Sequence, residues 1–168
     1  MLKKKLEECG AIKYGEFTLT SGKKSDYYVD IKLASTRPDV LQMIASKMAR
    51  EVDGEKIAGM ELGAVPLASA VSLKKDLPFL MVRKENKGHG TEGRIEGDLE
   101  EGDVVTVVED VTTTGGSAVE TVEVLREAGA EVNKVLVVVD RKEGAEGKLK
   151  DIEVELVPLI TADELVDK

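Results

Sequence analysis

Two adjacent carboxylates, Glu109 and Asp110, close a short apolar run and lead into Val111, Thr112, Thr113, Thr114, Gly115, Gly116 and Ser117. The run, residues 104–108, is β-branched and apolar, the pattern of a strand covered on both faces. A helical pattern starts at Ala118 and reaches Ala128, where Gly129 can end it. Strand, hydroxyl- and glycine-rich turn and helix N-terminus together make an anion site, because unpaired backbone N–H groups and the helix dipole point into the turn. Gly115 and Gly116 let a phosphate approach the backbone, and Thr112, Thr113, Thr114 and Ser117 add hydroxyl donors. The acids repel a bare phosphate. They fit a ligand that also carries a diol or a metal, since carboxylates accept from hydroxyls and ligate Mg²⁺ directly or through water. A ribose 5-phosphate is such a ligand. No Gly-Lys-Ser/Thr follows, which excludes a Walker loop, and the glycine spacing excludes a dinucleotide fingerprint.

Cations gather elsewhere. Residues 83–94 are polar, contain three glycines and hold Arg83, Lys84, Lys87 and the chain's one histidine, His89. The segment exceeds the usual ~4–6-residue connection, as lids and disordered segments do. In a chain of net charge −9 such a cluster suits a polyphosphate, although a solvated charged loop has the same composition. Arg141 follows the apolar run 132–139, at the carboxyl end of a strand, where open parallel sheets bind ligands. By itself it also reads as a surface arginine among charges. Two of the three tyrosines and one of the two phenylalanines fall within residues 15–28. That clustering favours a flat ligand, and a hairpin core would use the same residues.

The elements that must hold these groups alternate. Helical patterns cover 2–9, 38–52, 67–75, 118–128 and 161–167; strand patterns cover 16–19, 26–33, 56–62, 78–82, 104–108, 132–139 and 152–160. Pro38 suits a first helical turn, and Pro158 suggests an edge strand. After 56–62 comes Gly63-Ala64-Val65-Pro66, which from its residues alone reads equally as an ordinary strand-to-helix turn and as a loop whose backbone N–H groups around Gly63 meet an anion, since Glu61 and Leu62 bring no positive charge. The alternation predicts an α/β fold, a doubly wound, mostly parallel sheet.

At 168 residues the chain suits one domain with a sizeable core. A sequence pI near 4.8 argues against a nucleic-acid groove. One cysteine, Cys9, excludes an internal disulfide and suits a reducing, cytoplasmic compartment. No apolar run approaches ~20 residues, so no membrane span is expected. Abundant Glu and Lys with no Trp lean toward a heat-adapted source.

Residues 104–117 resemble the phosphoribosyl-pyrophosphate (PRPP) signature of type I phosphoribosyltransferases. Residues 15–28, with Phe17-Thr18-Leu19, Ser21-Gly22, Ser25 and Tyr27, are similar to the N-terminal hood of the orotate phosphoribosyltransferase family, and 83–90 to its Arg-Lys-x-x-Lys-x-His-Gly catalytic loop. Thr20 stands where the family often has Lys, and Val29 where it has a second aromatic. The resemblance implies a hood (about 1–35), a core (about 36–168) and a mobile lid (83–97) within one domain. It implies PRPP binding by Arg83, Lys84, Lys87, His89, Glu109, Asp110, Val111 and the turn Thr112–Ser117. Orotate would meet Thr113, Arg141 and Tyr28. Lys84, Lys87, His89 and Asp110 would take part in the chemistry, with His89 or a lid lysine assisting the leaving group. Mg²⁺ would arrive on PRPP with no direct protein ligand. A homodimer sharing its lids across subunits is implied as well. Two alternatives are a phosphoribosyltransferase for another base, and a non-catalytic PRPP-binding regulator acting on RNA. The lid and hood argue against the first and the acidic pI against the second.

Overall fold

The computed structural model describes residues 1–19, 21–85 and 93–166. The chain opens with α1 (Leu2–Glu8), a hairpin of β1 (Ile12–Thr18) and β2 (Lys24–Val29), and α2 (Ile31–Ser35). β1 and β2 run antiparallel, with an irregularity between Tyr14 and Phe17. The strand expected at 26–33 stops early because Asp30 caps α2, its carboxylate accepting the N–H of Leu33 at 3.1 Å.

The core follows as α3 (Pro38–Ala49), β3 (Lys56–Met60), α4 (Ala64–Lys75), β4 (Phe79–Val82), β5 (Ile95–Glu96), β6 (Val105–Thr112), α5 (Gly116–Glu127), β7 (Lys134–Asp140), α6 (Ala145–Asp151), β8 (Glu155–Thr161) and α7 (Ala162–Val166). The sheet order is β5-β4-β3-β6-β7-β8, and each neighbouring pair is parallel except β4–β5. This is the doubly wound sheet that the alternation predicts. From β3 the chain winds outward to β4, then returns to place β6 on the other side of β3. The winding therefore reverses between β3 and β6, where such sheets open a ligand crevice. Pro158 lies on β8, an edge strand, as expected.

Residues two apart share a sheet face. Ile57, Val108, Leu136 and Val138 pack on one side with Ile44, Met48, Leu67 and Val71 from α3 and α4. Ala58, Met60, Val105, Val107 and Val135 pack on the other with Val122 and Leu125 of α5 and Leu149 of α6. Leu2, Leu6, Ile12, Tyr27 and Ile31 of the N-terminal unit join the first cluster, so the hairpin is seated on the core.

Three further elements differ from the sequence reading. β6 continues through Thr112, so the two acids lie inside the strand and not at its end. Segment 83–97 is not one long loop: β5 pairs with β4, Met81 opposite Glu96 and Val82 opposite Ile95, and Arg83 N–H donates to Arg94 O at 2.6 Å. α6 was not expected, because only Ala145 and Leu149 of its seven residues are buried, too sparse a stripe to show as a period.

Candidate active site

Alternation along β6 sends Glu109 and Asp110 to opposite faces of the sheet. Glu109 is 4% exposed, and its Oε1 has no hydrogen-bond partner among the described residues. Burial, and then the charge of Asp110, push its carboxyl up to about 8, with Lys84 pulling the other way. Asp110 turns toward the β3–α4 loop. A Cβ on Gly63 would lie 2.2 Å from its Oδ2, so the carboxylate occupies the space that glycine leaves. Its Oδ1 accepts the N–H of Val111 at 2.9 Å, and Lys32 Nζ of α2 stands 3.7 Å from Oδ2.

The turn after β6 divides the hydroxyls. Thr112 is buried and donates to Asp140 Oδ1 at 2.9 Å; Asp140 also accepts the N–H of Lys142 at 3.1 Å. Thr112 therefore ties the end of β6 to the end of β7, and its hydroxyl is engaged away from the turn. Thr113, Thr114, Gly116 and Ser117 are exposed. Gly115, at φ 88°, precedes α5, and no side chain caps that helix. A Cβ there would meet Ala145 Cα at 2.8 Å. Position and backbone both require glycine, and the first N–H groups of α5 face an open turn.

Across the switch point, the Glu61–Leu62 peptide is cis and Glu61 Oε1 accepts the N–H of Lys84 at 2.8 Å. Arg83 pairs with Glu96, Nε to Oε1 at 3.0 Å. Lys87 and His89 lie outside the described residues, as does Thr20.

Arg141 begins the loop after β7 and turns under the hairpin. It is 8% exposed; its Nη2 donates to Ser25 Oγ at 3.0 Å, and its guanidinium carbon lies 4.3 Å from the Tyr27 ring centre. Glu143 Oε1 stands 3.9 Å from Nε. A cavity of about 480 Å³ joins this arginine to Val111, Thr113, Thr114, Tyr28 and Leu19. Tyr28 leans on Phe17, ring centres 5.7 Å apart. This end of the sheet thus offers an anion cradle at α5 and a carboxylate at Asp110, and the cavity beside Thr113 and Thr114 holds a cation next to an aromatic ring at the hairpin. Thr113, Tyr28 and Arg141, grouped from the sequence, line this one cavity. In the sequence, Ser25 and Tyr27 stand only as members of the hood motif and Gly63 only in a turn, and Asp140 has no role; the i, i+2 spacing of Ser25 and Tyr27 puts them on one strand face but names no partner. Among the described residues, no group of three or more His, Cys, Asp or Glu is placed to hold a metal ion, and no helix is long and apolar enough to cross a membrane.

The family described as the phosphoribosyl transferase domain matches residues 37–163. The orotate phosphoribosyltransferase of Methanosarcina mazei is 55% identical over 96% of this chain and 88% of its own length. Among solved structures, that of orotate phosphoribosyltransferase from Aeropyrum pernix covers 99% of this chain and 97% of its own, with 36% identity and a TM-score of 0.88. UMP synthase of Leishmania donovani matches 98% of this chain with 34% identity and a TM-score of 0.85, and the chain spans 36% of it.

Proposed function

The chain belongs to the orotate phosphoribosyltransferase family, and on that footing we propose how its residues carry the transfer. The enzyme moves the 5-phosphoribosyl group from PRPP to orotate, giving orotidine 5′-phosphate and pyrophosphate in pyrimidine biosynthesis. The observation that carries the site assignment is the cavity that joins Thr113 and Thr114, which lead into the uncapped α5, to Arg141.

In the transfer, the bond from the anomeric carbon to pyrophosphate breaks and a bond to the orotate ring nitrogen forms. Positive charge builds on the ribose and negative charge on the leaving group, so catalysis is mostly positioning and electrostatics. The N–H groups of Gly115–Ser117, with the hydroxyls of Thr113, Thr114 and Ser117, hold the 5-phosphate. Asp110 accepts from the ribose diol and favours the cationic ring. Glu109, held up to about 8 by its burial, shares a proton with the diol or releases it when ligand cations approach. Arg141 receives the orotate carboxylate, and Tyr28 covers the flat ring. Lys84, Lys87 and His89 meet the departing pyrophosphate; Arg83, paired with Glu96, anchors the segment that carries them. The hard-oxygen chemistry of Asp110 suits Mg²⁺ through water, with the cation carried to the site by PRPP. Bound there, Mg²⁺ neutralises pyrophosphate charge.

A homodimer completes this reading. Exposed Leu62 and Met81 lie on the β3–α4 loop and β4, next to where segment 83–97 departs. A second copy seated there would receive the neighbour's lid, and sedimentation would report the mass of a dimer. The single free Cys9 suits the cytoplasm.

The test is initial rates with PRPP, Mg²⁺ and each of orotate, uracil, hypoxanthine and adenine. Mg²⁺-dependent loss of orotate absorbance alone is expected. Turnover of another base would replace the acceptor, and PRPP binding without any turnover would replace the enzyme with a regulator.

A further inference from the structure

We propose that Tyr27 and Ser25 are positioning residues, which fix Arg141 for the carboxylate of the incoming base without spending its N–H groups on a protein carboxylate. The inference rests on the assignment of Arg141 to orotate. Arginine is long and flexible, and an unheld guanidinium would sample many directions. Here it is held from behind by two uncharged groups. The Tyr27 ring face lies 4.3 Å from the guanidinium carbon, and Ser25 Oγ accepts from Nη2 at 3.0 Å. Ser25 is fixed in turn, its hydroxyl donating to Tyr27 O at 2.8 Å and accepting the Tyr27 N–H at 3.3 Å, which leaves one lone pair for the arginine.

Carboxylates are nearby but do not form the clamp. Glu143 Oε1 forms a loose ion pair with Nε at 3.9 Å, beyond hydrogen-bond distance, and Asp140 Oδ1 is taken by Thr112 and Lys142. Nε is buried without a hydrogen-bond partner among the described residues. A carboxylate clamp would orient the arginine equally well and cancel its charge. A ring face attracts a cation through its quadrupole and leaves the net charge available. The hairpin thereby sets acceptor specificity through residues that need not touch the acceptor.

The experiment compares wild type with Tyr27→Leu, Tyr27→Phe and Ser25→Ala, measuring KM for orotate, KM for PRPP, kcat and melting temperature. Tyr27→Leu is expected to raise KM for orotate about tenfold while KM for PRPP stays within about twofold. Tyr27→Phe keeps the ring and should stay near wild type; Ser25→Ala should raise KM for orotate about threefold. Should Tyr27→Leu fail to fold, Ser25→Ala decides by the same split. Equal rises in both KM values, or none, would overturn the clamp. A wild type without orotate turnover would instead overturn the acceptor reading, and the clamp with it.

Discussion

The phosphate end and the base end of the cleft are constructed differently. At the phosphate end, backbone does the binding: Gly115 at φ 88° lies against Ala145, and an uncapped helix presents its N–H groups. At the base end, side chains do it, and they come from far apart: Ser25 and Arg141 are separated by 116 residues. A backbone cradle binds any phosphate of the right size and is fixed by local chain geometry. A side-chain pocket sets which base enters and depends on the seating of the hairpin on the core. Substitutions at the two ends should therefore fail in different kinetic parameters.

The largest effect is expected at the phosphate end. Gly115→Ala places a Cβ 2.8 Å from Ala145 Cα, in a backbone region that side chains avoid. We expect kcat/KM for PRPP to fall on the order of a hundredfold through displacement of the turn, read from initial rates with PRPP varied. A tolerated alanine would mean that hydroxyls, not backbone, hold the phosphate. Next is the base end. Arg141→Ala removes a charged hydrogen-bonding partner and should raise KM for orotate roughly thirtyfold, with KM for PRPP little changed.

Glu109 lies between the ends and responds to pH. The unfolded chain releases this proton near the ordinary value of 4.5, whereas the fold holds it to about 8. The folded state binds the extra proton, so the ligand-free protein loses stability as pH rises through that window and levels off above it. Glu109→Gln should flatten that slope, by on the order of 1–3 kcal/mol between pH 5 and pH 8.5 in denaturant titrations. An unchanged slope would place the titration elsewhere. The smallest effect is expected at Thr112. Thr112→Val loses the bond to Asp140 and should cost about 1 kcal/mol of stability, with KM for PRPP essentially unchanged. A large KM change would return Thr112 to the phosphate cradle.

The same contrast explains what could be read from the sequence. The cradle is encoded locally, so its strand, glycines and helix start were legible within residues 104–128, and alternation of periods was enough for a doubly wound sheet. Thr112 was grouped with the turn hydroxyls, but a strand that runs on through it turns its hydroxyl toward β7. Ser25 and Tyr27 carry no local sign of their partner. Their role appears only when folding brings β2 over the loop after β7. Gly63 was visible as a turn glycine, but its reason, the carboxylate of Asp110 lying where a Cβ would be, is tertiary. The strand overextended to residue 33 shows how one side-chain cap, Asp30, overrides an apolar pattern.

The most direct test of this two-ended account is a crystal structure with orotidine 5′-phosphate bound. The account predicts the phosphate on the N–H groups of residues 115–117 and the base carboxylate within hydrogen-bond distance of Arg141, with Tyr27 still beneath the guanidinium. A carboxylate bound away from Arg141, or a phosphate held apart from the α5 N-terminus, would contradict it.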